Sequence, residues 1–256
     1  MRNLSVVTTS WDDGDPKDLK IAGLLSSRNI PGTFYVPTNG YRGRRTLAAE
    51  DLKRLSSDGF ELGGHTVTHN SLPGLSPEQL EGEVHTCKDN LEQVLGKRVS
   101  MFCYPNGRYD AEVVQQVRKA GYEGARTTRM LSVTTQFRPF EMPTTLHAYP
   151  HRRADYMKNL ARSGNVKGLL TYTTKLSRFD TWIELGKHMF SQVLEYGGIW
   201  HLYGHSWEID ELGLWTEVRE MLNHVANRNG VNYVTNGQLI SLLKNRNCQR
   251  SEERQL

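Results

Sequence analysis

Apolar and polar positions along the chain fall into two alternating patterns. Short runs rich in β-branched and aromatic residues, at 4–9, 33–36, 60–62, 99–104, 122–125, 199–203 and 232–234, predict strands. Between them, stretches near 16–28, 46–57, 77–95, 110–119, 181–196, 212–229 and 237–245 read as helices. Ser76 followed by Pro77 marks one helix start and Asp110 another. Gly59, Gly96, Gly121 and Gly230 stand where a left-handed residue would end a helix. Residues 126–180 are the least regular and read as long loops with one or two helices. The segment after Asn245 is polar and reads as a frayed tail, 246–256. Strand–helix alternation predicts a parallel sheet or a (β/α) barrel, an architecture in which chemistry gathers at the carboxyl ends of the strands.

Composition narrows the class. A chain of 256 residues with 37% hydrophobic and 23% charged residues has the length of one barrel and buries a core without disulfides. No apolar stretch is long enough to span a membrane. The N-terminus shows no signal-peptide pattern, so the expected location is the cytoplasm. Cys87, Cys103 and Cys248 match neither a disulfide framework nor a cysteine zinc site, which fits that expectation. The net charge of +4 is mild and no basic run is long, so nucleic acid is not an expected partner. The small clusters around Arg44 and Arg152 are either solvated loops or a site for an anionic substrate group. Nothing in the sequence fixes an oligomeric state.

Chemically active residues fall just after the apolar runs. The first run ends in Ser10-Trp11-Asp12-Asp13-Gly14. Adjacent carboxylates repel, so the pair needs a nearby cation or two different jobs. Taken alone, Asp-Asp-Gly reads as a capped turn before the helix near Pro16. The third run ends in Gly63-Gly64-His65-Thr66-Val67-Thr68-His69. Nine histidines placed at random would give about 0.3 pairs spaced four apart. The chain has three: His65/His69, His147/His151 and His201/His205. An acidic pair at another strand end makes His65 and His69 candidate metal ligands. Three protein ligands with room for water is the layout of a catalytic zinc site. The fourth run ends in Cys103-Tyr104-Pro105-Asn106-Gly107-Arg108, a turn that can aim backbone N–H groups at a site or simply connect a strand to a helix. The sixth ends in His201-Leu202-Tyr203-Gly204-His205-Ser206-Trp207-Glu208. His205, nearer the carboxyl end, is the better candidate for catalysis, and His201 reads as a satisfied core histidine. Trp11, Tyr104 and Trp207 can line a pocket or pack the core.

In this order, Ser-Trp-Asp12-Asp13-Gly, His65-Thr-Val-Thr-His69, Cys-Tyr-Pro-Asn-Gly-Arg and Gly-His205-Ser-Trp-Glu resemble the motifs of the polysaccharide deacetylase (NodB-homology) carbohydrate esterases. The resemblance spans about residues 5–240. It implies a single domain, 1–245, folded as a distorted (β/α) barrel of seven or eight strands. It also implies metal-dependent removal of an acetyl group from an amino sugar. By resemblance, Asp13, His65 and His69 hold a divalent metal, most often Zn2+, with Co2+, Ni2+ or Mn2+ as substitutes. Asp12 is then the general base and His205 the general acid, with Tyr104, Pro105, Asn106, Arg126 and Trp207 around substrate and oxyanion.

The sequence departs from the family in one motif. An arginine that supports the base is expected at the place of Cys103, and Arg126 or Arg108 are the candidates to replace it. With no leader visible, the expected substrate shifts from an external polymer towards a nucleotide-linked, lipid-linked or short acetylated sugar. Two rivals stand beside this reading: a metal-independent, allantoinase-like amide hydrolase of the same fold, and a catalytically silent sugar-binding barrel.

Overall fold

The computed structural model describes residues 4–41 and 43–252. Eight strands are present: β1 (Ser5–Asp12), β2 (Thr33–Val36), β3 (Glu61–Gly64), β4 (Met101–Cys103), β5 (Gly124–Arg126), β6 (Leu146–His147), β7 (Gly198–Gly204) and β8 (Val231–Tyr233). All pairings are parallel, in the order β5-β4-β3-β2-β1-β7-β6. β8 lies off this path, beside the first half of β1, while β2 pairs with the second half. The sheet curls, and β5 and β6 do not pair directly. Met142 extends the pairing at β5 instead: its N–H donates to the Ala125 carbonyl and its own carbonyl accepts from the Thr127 N–H, both at 2.9 Å. The expected distorted barrel is thus a seven-strand curl with an eighth strand at its centre, and one α/β domain.

Both faces of β1 are covered, so all eight of its residues are buried. Alternation along the strand separates two environments. Val7 and Trp11 pack outward in the large core between the sheet and the helices, and Val6 joins a smaller inner core with Tyr35, Met101, Cys103, Met142 and Ile199. Leu239 and Ile240 of the last helix plug the bottom of that inner core. The helix start is tied to the sheet: the Gly237 N–H donates to Glu61 and the Asn236 side chain to the Tyr35 hydroxyl, each at 2.9 Å. Higher in the barrel the inward residues turn polar and satisfy one another. Thr8 donates to Asn236 at 2.8 Å, and Ser10 bonds His201 at 2.9 Å.

The helix signals hold where side-chain chemistry sets them. Ser76 and Asp110 accept from backbone N–H groups three residues on, and Gly59, Gly96, Gly121 and Gly230 all have positive φ. Three features lie outside the periodic pattern. β6 has two residues, too few to display alternation. The helix across 77–95 contains a π turn at Gly82–Thr86. The last helix, Asn236–Glu252, continues through most of the segment read as a frayed tail, whose end (253–256) lies outside the described residues. No helix among the described residues is long and apolar enough to cross a membrane.

Close strand contacts give a test. A Cβ on Gly63 would stand 2.5 Å from the Tyr35 ring and 2.9 Å from the Met101 carbonyl oxygen. Gly63→Ala should therefore destabilise the fold by about 1–3 kcal/mol, read as a lower urea midpoint with an unchanged slope.

Candidate active site

The carboxyl ends of β1, β3, β4, β5 and β7 converge on a cleft of about 840 Å3. Asp12 ends β1, and the chain then turns sharply, with Asp13 at φ +76° and Gly14 at φ +59°. This turn sends the two carboxylates to different neighbours. Asp13 Oδ2 accepts from the Trp207 indole N–H at 2.9 Å, whereas Oδ1 is buried without a hydrogen-bond partner. Facing Oδ1 are His65 Nε2 at 3.6 Å and His69 Nε2 at 3.3 Å.

The histidine loop is held in place from outside. Thr66 and His69 both adopt positive φ, which is uncommon for side chains of their size and persists only where the surroundings impose it. Glu83, in the π turn, supplies that constraint. Its carboxylate accepts from the backbone N–H groups of Val67 and Thr68, each at 2.9 Å, and from the Thr68 hydroxyl. His65 Nδ1 donates to the Cys103 carbonyl at 2.8 Å, so the lone pair of that ring is on Nε2, facing Asp13. Burial pulls both imidazoles down to about 4, leaving them neutral and able to ligate a cation near neutral pH. A buried acceptor with no partner and two neutral imidazole nitrogens is a donor set suited to a divalent metal.

Asp12 has a different partner. Arg126 ends β5, in register with Cys103 of β4, and its guanidinium donates to Asp12 Oδ1. Arg126 is fully buried and Asp12 is 3% exposed. Burial pushes the Asp12 pKa up, but the charges of Arg126, His65 and His205 and the Arg126 hydrogen bond together outweigh it and hold Asp12 at about 2. The Tyr203 and Tyr35 rings lie 4.7 and 5.5 Å from the guanidinium carbon, giving the cation further partners. Cys103 lies beside this pair, its Sγ 3.9 Å from Asp12 Oδ2.

His205 precedes a short helix, Ser206–Glu211, which brings Glu208 back onto it at 2.5 Å from Nδ1. Its Nε2 faces the carboxylates, 3.8 Å from Asp12 and 4.0 Å from Asp13. Burial opposes the charged form. The Glu208 bond, the charge on Asp13 and the other nearby carboxylates overcome that and lift His205 to about 9. Glu208 is also 3.2 Å from His147 Nε2, and His147 Nδ1 is 2.9 Å from His151.

The candidate residues from the sequence sort as follows. Asp12, Asp13, His65, His69, Tyr104, Asn106, His205 and Trp207 all line the cleft. Pro105 does not; it is buried and shapes the turn that places Asn106 at φ +56°. Arg126 sits beneath the cleft, on Asp12, and Arg108 stands in the cleft wall. His201 is a satisfied core histidine, bonded to Ser10 and to the Pro143 carbonyl. Glu208, Glu83 and the His147/His151 pair carry no assignment in the sequence reading. The three-residue spacing from His205 to Glu208 was the available signal for one of them. Glu83 had none, because its partners lie 15 and 16 residues away.

The chain is a curled parallel α/β sheet with a carboxylate–histidine cluster at its strand ends. Residues 2–125, just under half of the chain, match the family model for polysaccharide deacetylase. A peptidoglycan-N-acetylglucosamine deacetylase of Bacillus cereus is 28% identical over 123 residues, 47% of this chain and 55% of that one. The peptidoglycan-N-acetylmuramic acid deacetylase PdaA of Bacillus subtilis is 23% identical over 105 residues, 41% and 38% of the two chains. Such matches span about half the length of the curated relatives. The fold is shared more widely. A Mycobacterium smegmatis structure assigned as a polysaccharide deacetylase superposes with a TM-score of 0.69 at 15% identity, over 96% of this chain and 93% of that one.

Because Arg126 and Asp12 are both buried, removing one strands the other. Arg126→Met should cost about 3–5 kcal/mol at pH 7. Asp12, no longer held down, would gain from protonation, so the deficit should shrink as pH falls towards 4. In the background of Asp12→Asn the same substitution should cost much less, a coupling that denaturation of the four proteins measures.

Proposed function

We propose that the chain hydrolyses the N-acetyl group of an amino sugar, using a divalent metal held by Asp13, His65 and His69. The observation that carries this reading is the unpartnered, buried Asp13 Oδ1 facing two neutral imidazole nitrogens. Zinc is the expected ion, and Co2+, Ni2+ or Mn2+ suit the same N and O donors. When bound, the ion supplies Lewis-acid polarisation of the acetyl carbonyl and eases deprotonation of a water.

The remaining work falls to the chain. Asp12, kept ionised by Arg126, takes the proton of the attacking water. The backbone N–H of Asn106, presented by the tight turn, donates to the carbonyl oxygen as it gains charge. His205, kept protonated by Glu208, gives its proton to the departing amine and so prevents return to the amide. His147 gives Glu208 a second imidazole partner and so fixes it against His205. Trp207 fixes the second Asp13 oxygen and leaves the first for the metal. Trp207 and Tyr104 also offer rings to the sugar.

The retained Arg126–Asp12 pair favours catalysis over a silent sugar-binding barrel. The Asp-His-His set favours a metal enzyme over a metal-independent, allantoinase-like hydrolase. The names of the two Bacillus relatives make an acetylated cell-wall sugar, as polymer or as linked precursor, the first substrate class to test. Buried thiols at Cys87 and Cys103 accord with a cytoplasmic setting.

Metal analysis and acetate release test the scheme together. Asp12→Asn should keep the metal and lose roughly 10²–10⁴-fold in turnover, whereas His69→Ala should lose both. Full acetate release by metal-free protein would overturn the metal assignment. Sugar binding without any acetate release would support the silent barrel.

The pH dependence has a defined sign. Asp12, at about 2, is ionised throughout the working range. His205 is protonated below about 9, so kcat should fall as pH rises through that value. At the other end, protons compete for His65 and His69 as pH falls towards about 4, and dialysed protein should lose metal there while retaining it at neutral pH.

A further inference from the structure

The basic clusters that stand out in the sequence are largely neutralised where they lie. Arg44 pairs with Glu211 at 2.7 Å, Arg152 with Asp155 at 3.3 Å and Arg153 with Asp180 at 3.0 Å. The cations that face the cleft come from elsewhere. The helix Arg153–Arg162 turns Tyr156 and Leu160 into the core, and its residues Asp155, Lys158, Asn159 and Arg162 line the cleft at i, i+3, i+4 and i+7 spacing. Arg108, from the turn after β4, stands in the same wall. A second cavity of about 410 Å3 shares Arg108, Thr128, Asn159 and Arg162 with the cleft and extends it away from the Asp-His-His centre.

The charges along this extension do not cancel. Asp155, the carboxylate on the helix face, is taken by Arg152 through both a side-chain and a backbone N–H. Arg129, which lines the outer cavity, is held by Glu141 at 3.3 Å. Asp110, next along the chain from the Arg108 turn, caps its own helix through the Val113 N–H. Among the described residues, Arg108, Lys158 and Arg162 have no carboxylate within ion-pair distance, although their neighbours in the wall do. Asn159 offers no competing charge: its amide bridges the Met130 N–H and the Thr128 carbonyl. Three uncompensated cations on two elements therefore line this side of the cleft, and two of them, Arg108 and Arg162, continue into the second cavity. They focus a positive potential there and present donors suited to an oxyanion.

We propose that this arm binds an anionic group, a phosphate or a carboxylate, carried by the amino sugar whose acetyl group reaches the Asp12–His205 centre. The proposal rests on the amino-sugar reading of the cleft and extends it to substrate class. A neutral oligosaccharide would leave all three cations facing water. An anionic sugar gains charge-assisted hydrogen bonds that also fix which end of the sugar enters first. Phosphate and muramic-type carboxylate offer the same chemistry to this wall, and the sugar carrying the anion distinguishes them.

The test compares titrations of the metal-loaded protein with N-acetylglucosamine 1-phosphate, N-acetylmuramic acid and uncharged N-acetylglucosamine, in the native protein and in Arg108→Gln/Lys158→Gln/Arg162→Gln. These positions are exposed, so the variant should fold, as circular dichroism would verify. At least one anionic sugar should bind roughly 10- to 100-fold tighter than the uncharged one. That advantage should collapse in the triple variant and weaken from about 50 to about 500 mM NaCl, while affinity for the uncharged sugar stays the same. Preference for the phosphate alone or the carboxylate alone names the source, and preference for both supports the shared chemistry. Equal affinity for charged and uncharged sugars, or an advantage that survives in the triple variant, overturns the proposal. Acetate release separates the two levels. Turnover of uncharged chito-oligosaccharide with no charge preference sinks the anion arm and leaves deacetylation standing. Charge-selective binding with no acetate release from any sugar does the reverse.

Discussion

The buried contact between Arg126 and Asp12 is the constraint around which the centre is organised. An ionised carboxylate at 3% exposure is untenable alone, and a fully buried guanidinium is costlier still. Each makes the other possible. Once Asp12 is fixed as an anion, Asp13 cannot share its environment, and the left-handed turn at Asp13 and Gly14 carries the second carboxylate to the histidine loop. Two adjacent acids thereby acquire separate electrostatic surroundings: one an internal arginine, the other two neutral imidazoles and an indole. Across the cleft, Glu208 does for His205 what Arg126 does for Asp12, but with opposite sign.

These local pairings explain why the centre tolerates so much burial. Among the described residues, the candidate carboxylates and imidazoles nearly all have a fixed partner. His65 leans on the Cys103 carbonyl, Asp13 on Trp207, Asp12 on Arg126 and His205 on Glu208. Each retains one polar atom directed at the others. Supporting contacts of this kind hold a site in productive geometry without loading strain onto the reacting atoms. In the centre, backbone strain lies at Asp13, Thr66, His69 and Asn106, all at positive φ, and Glu83 holds the histidine loop from a neighbouring helix.

Much of this was legible in the sequence because it depends on local chemistry. Strand runs ending in Asp-Asp, His-x-x-x-His and Gly-His specify their own positions at the sheet's carboxyl edge, and caps such as Ser76 and Asp110 act within one turn. What stayed hidden depends on contacts between distant segments. Arg126 and Cys103 are 23 positions apart, and only the register of β4 against β5 places one beside the other. β6 is held by its neighbours and has no pattern of its own. The cations of the cleft arm were masked by more conspicuous basic clusters, whose charges turn out to be spent locally. A charge count along the chain cannot separate paired from unpaired cations; that distinction exists only in the fold.

The π turn at Gly82–Thr86 ties the histidine loop to the winding of a helix that contributes no residue to the chemistry. Such a turn holds one more residue than regular α-helix, and each residue advances the helix by about 100°. Glu83 lies within it, so the extra residue sets the direction in which that carboxylate points. A single-residue deletion there would leave every candidate ligand in place and the helix more regular. It would swing the clamp on Val67 and Thr68 away from the loop it restrains. The geometry of the candidate ligand set is thus encoded partly in a count of residues along a neighbouring helix, and insertions or deletions can retune it without altering any side chain that faces the cleft.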